Sequence, residues 1–143
     1  MGILFKDMNW IGVLLGTVAY FMLGALWYSP LFGKKWIAYN KIDMSNPNAK
    51  KGVGIIMLGS FVLQFVQCTA IGILALRLED FGNSWMNGLK LGALTGACFG
   101  AATVGVNYLY EKKPLGLFLI NGGYTTLGNI IAAIIICMMG NNL

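Results

Sequence analysis

The chain has no histidine, and of its 143 residues only ten are Lys or Arg and five are Asp or Glu. The first absence removes the side chain that most often moves protons near neutral pH and most often binds transition metals. The second absence is architectural. Soluble domains carry about a quarter of their residues charged. At 10% charged and 57% hydrophobic, with mean hydropathy +0.71, this chain cannot cover a core with a wettable surface. A soluble globular domain, a disordered tail, a coiled coil and a nucleic-acid binder are thereby excluded. The net charge of +5 does not restore nucleic acid as a partner. The lysines cluster at the ends of apolar runs, where lipid headgroups favour them, and do not form a stripe.

Cysteine is also scarce. Cys68, Cys98 and Cys137 stand far apart inside apolar runs, without the spacing of a zinc site or a redox pair, and read as small hydrophobes in helix packing. No Gly-rich phosphate loop, nucleophile elbow or carboxylate pair occurs, so no cofactor or metal is expected. Lys6 stands where a myristoylation signal needs Ser or Thr. The first apolar run is too long, and lacks the small-residue cleavage site, for a signal peptide.

What is present is long apolar sequence. Four windows without a charged residue run over about 8–28, 53–76, 91–110 and 115–139, each long enough for a helix to cross about 30 Å of hydrocarbon. Unbroken apolar runs exclude the alternating strands of a barrel, and backbone groups without water must be satisfied within helices. The sequence predicts an all-α membrane protein. It forms a single domain over 1–143, with four transmembrane helices in an antiparallel bundle and a lipid bilayer as its partner.

Basic residues give the orientation. Lys34, Lys35, Lys41, Lys50, Lys51, Lys112 and Lys113 lie between spans one and two or three and four, against Lys6, Arg77 and Lys90 at the other end. Seven against three places the basic loops in the cytoplasm and the termini outside the cell (inner or plasma) membrane. In the first loop, Trp27, Tyr28, Trp36 and Tyr39 bracket Lys34 and Lys35, a pattern suited to headgroup depth. Ser29-Pro30 is expected to end or kink the first helix. Lys34–Ile42 is expected to form a short interfacial helix, and Asp43–Lys51 a flexible loop.

Two sets of residues inside the spans stand out. Glycines recur at helical spacing, Gly12, Gly16 and Gly24 in span one and Gly88, Gly92, Gly96 and Gly100 along span three. Such seams let another backbone approach, within the chain or between copies. Polar side chains form the second set: Ser60, Gln64, Gln67 and Cys68 on one face of span two, Thr103 and Asn107 in span three, and Asn121, Thr125 and Asn129 in span four. Amides are expensive in hydrocarbon unless paired, so these faces point inward. There they either bond to one another and fix register, or line a hydrated cavity for a neutral or anionic solute. Because no carboxylate, Lys, Arg or His lies within a window, a proton-coupled step, a voltage sensor and a proton pump are excluded.

Leu23-Gly24-Ala25-Leu26-Trp27-Tyr28-Ser29-Pro30-Leu31-Phe32-Gly33-Lys34 and the stretch from Asn107 to Tyr124 (NYLYEKKPLGLFLINGGY) resemble the hallmark segments of a prokaryotic integral membrane family, domain of unknown function 1761. The resemblance spans nearly the whole chain. It implies four membrane helices and supplies no activity, substrate or catalytic residue. Relatives often place histidine directly after the Gly-Tyr of span four, where this chain has Thr125, so any metal or proton handling by that histidine is not implied here. Asn107 and Asn121 flank the Glu111–Pro114 turn within the resembling segment. An antiparallel hairpin sets them at similar depth, where their amides could clamp it, with Tyr108, Tyr110 and Tyr124 around the same end.

Two function classes remain. One is a small transporter or channel, built as a homo-oligomer because four helices enclose little space, with Gln64, Gln67, Asn107, Asn121, Thr125 and Asn129 as the polar site. The other is an assembly protein that docks other helices through its glycine faces. An enzyme is not expected. Glu79, Asp80 and Glu111 lie at interfaces, where Arg77 or Lys112 would pair with them.

Overall fold

The computed structural model describes residues 2–78 and 84–140, apart from the side chains of residues 3 and 4. Glu79 and Asp80 lie outside the described residues. Among the described residues the fold is helical, without strands. Its elements are α1 (Gly2–Phe5), α2 (Trp10–Leu26), a π-helical continuation over Trp27–Leu31, α3 (Gly33–Tyr39), α4 (Val53–Arg77), α5 (Trp85–Ala93), a second π-helical stretch over Leu94–Ala101, α6 (Ala102–Tyr110) and α7 (Leu115–Met139). They make four spans: Trp10–Leu31, Val53–Arg77, Trp85–Tyr110 and Leu115–Met139. The chain is a multi-pass integral membrane protein. Large apolar side chains face outward on every span, as with Ile55 at 80% and Leu63 at 68% exposed, which only a lipid surround makes affordable.

Span one begins at Trp10 because Asn9 caps it: Asn9 Oδ1 accepts from Gly12 N at 3.0 Å. The same side chain donates from Nδ2 to Gly140 O at 3.0 Å, tying the start of span one to the end of span four. At its other end the helix continues past Tyr28. Pro30 has no N–H to give, and the chain widens by one residue into a π turn, in which Phe32 N donates to Trp27 O at 2.9 Å. The helical run stops at Phe32 (φ −121°, ψ 2°) and restarts as α3 at Gly33. A methyl at Gly33 would lie 2.7 Å from Tyr28 O, so only glycine lets the next helix turn back so close. α3 is shorter than the Lys34–Ile42 segment read from sequence. It ends where Asn40 Nδ2 bonds back to Trp36 O at 2.8 Å and Lys41 turns left-handed at φ 53°.

Span three differs most from its charge-free window. It starts at Trp85, six residues before Leu91, because Ser84 caps it through Met86 N at 3.2 Å. Lys90 therefore lies within the helix, exposed, where its long stem can carry the ammonium away from the apolar surface.

Span four is the pillar of the bundle. The glycines of spans one and three all turn toward it. A methyl at Gly88 would stand 2.5 Å from Ile134 Cα and one at Gly96 2.7 Å from Thr126 Cα, while Gly92 and Gly100 meet Ile130 Cα and the Thr125 methyl. On the other side Gly12 faces Met139, Gly16 faces Ala132 O at 3.2 Å, and Gly24 faces Tyr124 Oη at 2.9 Å. Span four returns the relation at Gly128, whose bare backbone receives the ring of Tyr20. Two glycine seams thus clasp one helix, bringing backbones close enough for dispersion contacts that larger side chains would prevent. Span two packs on spans one and four and hardly touches span three, leaving a cleft on that side.

Candidate functional site

The inward polar side chains gather in two layers on span four. In the deeper layer, Asn129 Nδ2 donates to Thr125 O at 2.7 Å and to Tyr20 Oη at 3.3 Å, and its Oδ1 accepts from Thr95 Oγ1 at 3.4 Å. Spans one, three and four meet there. Nearer the basic loops, Tyr28 donates to Asn121 Oδ1 at 2.7 Å, and Asn121 Nδ2 donates to Tyr108 Oη. Between the layers, Gln64 Nε2 of span two donates to Tyr124 Oη at 2.6 Å. The rings of Tyr20 and Tyr28 stand 5.3 Å and 5.0 Å from that of Tyr124, the latter edge to face.

The tyrosines are what sequence reasoning undervalued. Tyr20 was not singled out, although its spacing of eight from Gly12 and four from Gly16 places it on the glycine face. Trp27 and Tyr28, expected at headgroup depth, are half-buried and bond within the bundle. Trp27 Nε1 donates to Ile120 O at 2.9 Å and its ring lies 4.6 Å from that of Phe32. Ser29, Pro30, Lys34 and Lys35 are exposed, and Trp36 is half-buried with its ring 5.6 Å from that of Tyr28.

Asn107 does not meet Asn121; it is exposed, and Tyr108 takes that place. The π stretch explains the exchange. A glycine every fourth residue drifts about 40° per step around an α-helix, and the wider turns of Leu94–Ala101 take up that drift. The face toward span four then passes from Gly100 to Ala101, Gly105 and Tyr108, one residue out of step with Asn107. Thr103, on the exposed side, bonds back to Phe99 O at 2.6 Å. Gln67 is likewise exposed while Gln64 and Cys68 beside it are buried. Thr125 turns its hydroxyl to its own backbone, Asn121 O at 2.9 Å, and offers its carbonyl to Tyr20. Tyr110 is 87% exposed.

Two cavities adjoin these layers. The first, about 520 Å³, lies among spans one, two and four and α3, lined by Phe21, Gly24, Ala25, Tyr28, Ser29, Trp36, Val53, Ile56, Met57, Ser60, Gln64, Asn121 and Tyr124. The second, about 500 Å³, occupies the cleft between spans two and three, lined by Gln67, Ala70, Ile71, Leu74, Thr95, Phe99, Gly100, Thr103, Val104, Thr125 and Asn129. Each borders one of the two π-helical stretches, a backbone form that is frequent at functional sites. No charged side chain lines either cavity. Gln64 and Tyr124 line the first, and their neighbours Gln67 and Thr125 line the second. The Gln64–Tyr124 hydrogen bond joins spans two and four, the two spans that border both cavities. No group of three His, Cys, Asp or Glu able to hold a metal occurs among the described residues.

A family model described as Protein of unknown function (DUF1761) matches residues 11–137. The chain belongs to that family. The DUF1761 match takes in both cavities and every side chain of the two polar layers, and leaves outside it Asn9 and the far end of its tie, Met139 and Gly140. No curated protein and no solved structure matches the chain.

Proposed function

We propose that this protein passes a small uncharged solute across the membrane, with the Gln64–Tyr124 hydrogen bond as the partition between its two cavities. That bond carries the reading: it is the polar contact between spans two and four, which wall both cavities of solute size. Cavities of about 300–1,000 Å³ with few polar groups suit small molecules. Of the neutral and anionic solutes that a bundle without acidic groups admits, the neutral ones fit better. Neither cavity offers a charge to replace lost hydration.

The working form in this reading is an oligomer of identical chains in the cell membrane, with the basic loops cytoplasmic. Exposed Asn107 favours such an assembly, since an amide facing hydrocarbon gains from a neighbouring chain. The competing assembly role loses its surface, because the glycine seams that would dock foreign helices are filled by span four. No catalytic step belongs to the proposal.

Proteoliposomes tested by osmotic swelling with glycerol, urea and phenol, and with chloride and benzoate as charged controls, examine it. Selective swelling with uncharged solutes that rises in Tyr124→Phe is the expected result. Identical rates in empty and loaded vesicles for the whole panel would refute it. Disulfide capture through exposed Cys98 examines the oligomer: a crosslinked dimer in native membranes, absent in Cys98→Ser, is expected.

A further inference from the structure

Gln64 is 8% exposed, yet its carbonyl oxygen, Oε1, meets no hydrogen-bond donor among the described residues. A buried acceptor left unpaired is costly, and native proteins leave few. The two inward amides of span four are met on both atoms: Asn121 by Tyr28 and Tyr108, Asn129 by Thr95, Thr125 and Tyr20. Gln64 alone among these three keeps one half unsatisfied, and it lines the first cavity.

The cavity around it has a definite chemical character. Phe21, Tyr28, Trp36 and Tyr124 contribute aromatic surface, Ser60 a hydroxyl, and no lining residue carries a charge. The Phe21 and Phe61 rings meet edge to face at 5.6 Å between spans one and two. Ala25, Ile56 and Met57 line the cavity and are themselves exposed on the outer surface, so the cavity opens sideways between spans one and two, toward lipid.

We infer that this cavity is a binding site for a small uncharged aromatic or amphiphilic molecule whose hydroxyl or N–H group donates to Gln64 Oε1, an atom that a small rotation of the Gln64 side chain turns from its closed position to the cavity wall. The unpaired atom is an acceptor, so it selects a donor and disfavours an anion. A cation would find no carboxylate to replace its lost water. The aromatic walls favour a flat apolar body, and the lateral opening suits a solute that partitions into the bilayer first. This names the solute class of the transport reading and rests on it only for the direction of travel, because the site would bind whether or not it releases its ligand on the other side.

Equilibrium binding to the full chain in nanodiscs of fixed lipid composition tests the inference, with phenol, toluene, benzoate and benzylammonium as probes. Phenol should bind saturably and about tenfold more tightly than toluene, the worth of one satisfied buried hydrogen bond, with both charged probes weaker than phenol. Gln64→Leu should erase the phenol–toluene difference while leaving toluene binding in place, and retained toluene binding certifies the fold of that variant. Ala25→Phe, at an exposed wall position, should abolish binding of both. Equal binding of phenol and toluene, a phenol preference that survives Gln64→Leu, or stronger binding of a charged probe would overturn the inference. Saturable Gln64-dependent binding without vesicle flux would sink transport and leave the site standing. Flux without such binding would do the reverse.

Discussion

Tyr28 donates its hydroxyl proton to Asn121 Oδ1 at 2.7 Å, bridging the proline-widened end of span one to the first turns of span four. Asn121 passes the link to Tyr108 of span three through its other amide atom. One side chain thus joins three spans at the basic-loop end, as Asn129 does deeper in the bundle. Polar residues in a membrane interior are stabilising only when their partners are fixed, and both arrangements meet that condition.

Asn121→Leu should therefore lower stability in detergent by about 1–3 kcal/mol, through two lost interhelical bonds and two stranded tyrosine hydroxyls. Asn107→Leu, at an exposed site, should leave the unfolding midpoint of the monomer unchanged. Thermal melts of the two variants side by side decide the matter: equal losses would restore Asn107 to the clamp.

A methyl has no room at Gly92, which abuts Ile130 Cα, whereas at Gly59 nothing lies within 4 Å. Gly92→Ala should force spans three and four apart and cost about 1–3 kcal/mol, the usual penalty of overpacking. Gly59→Ala should be neutral or slightly stabilising, as Ala exceeds Gly in helix propensity. Chemical denaturation in mixed micelles reads both.

Tyr124→Phe removes the acceptor of Gln64 Nε2 and keeps the ring contacts. Solute flux should rise several-fold while the melt shifts by only about 1 kcal/mol or less. A melt shift without any change in flux would make Tyr124 a packing residue and nothing more.

In the first loop, the Ser45 hydroxyl at 2.5 Å and the Ser45 N–H at 2.9 Å hold the exposed Asp43 carboxyl below the usual carboxylate range. The native value is the depressed one. The turn is therefore fully formed above the ordinary carboxylate range and is lost as pH falls through Asp43's lowered value. The amide resonance of Ser45 should titrate with that low midpoint, and Ser45→Ala should raise it.

In the topology proposed from the lysine bias, the loop over 40–52 is cytoplasmic. In a Cys98→Ser background, Asn48→Cys should react with an impermeant maleimide only in inverted vesicles, and Lys6→Cys only in intact cells. The opposite labelling would invert the proposed topology.

Charge-free windows located all four spans, because a helix that crosses lipid tolerates few charges and the sequence has few to place. They misplaced the start of span three, since Lys90 can lie inside a helix with its ammonium carried outward, and the cap at Ser84 is a weaker signal than a charge. Glycine spacing was legible as close packing, though not which helix would fill the seams. That depended on span four presenting narrow surface to both sides. The inward amides were legible in kind and only partly in identity. Gln64, Asn121 and Asn129 are inside, Gln67 is accessible but lines the cleft between spans two and three, and Asn107 is exposed. Helical spacing cannot foresee an extra residue in a π turn, so Asn107 was taken for Tyr108. Nor does sequence spacing distinguish a paired amide from the half-satisfied one at Gln64.

The pillar role of span four bears on how the protein is made. Ribosomes deliver it after the three helices that need it, and spans one and three have far less contact with each other than with the helix still to come. For that interval the nascent chain sits in the bilayer with bare glycine grooves and unmatched amides, inviting strangers. Insertase or chaperone capture should peak there and collapse once Leu115–Met139 has been threaded between its neighbours.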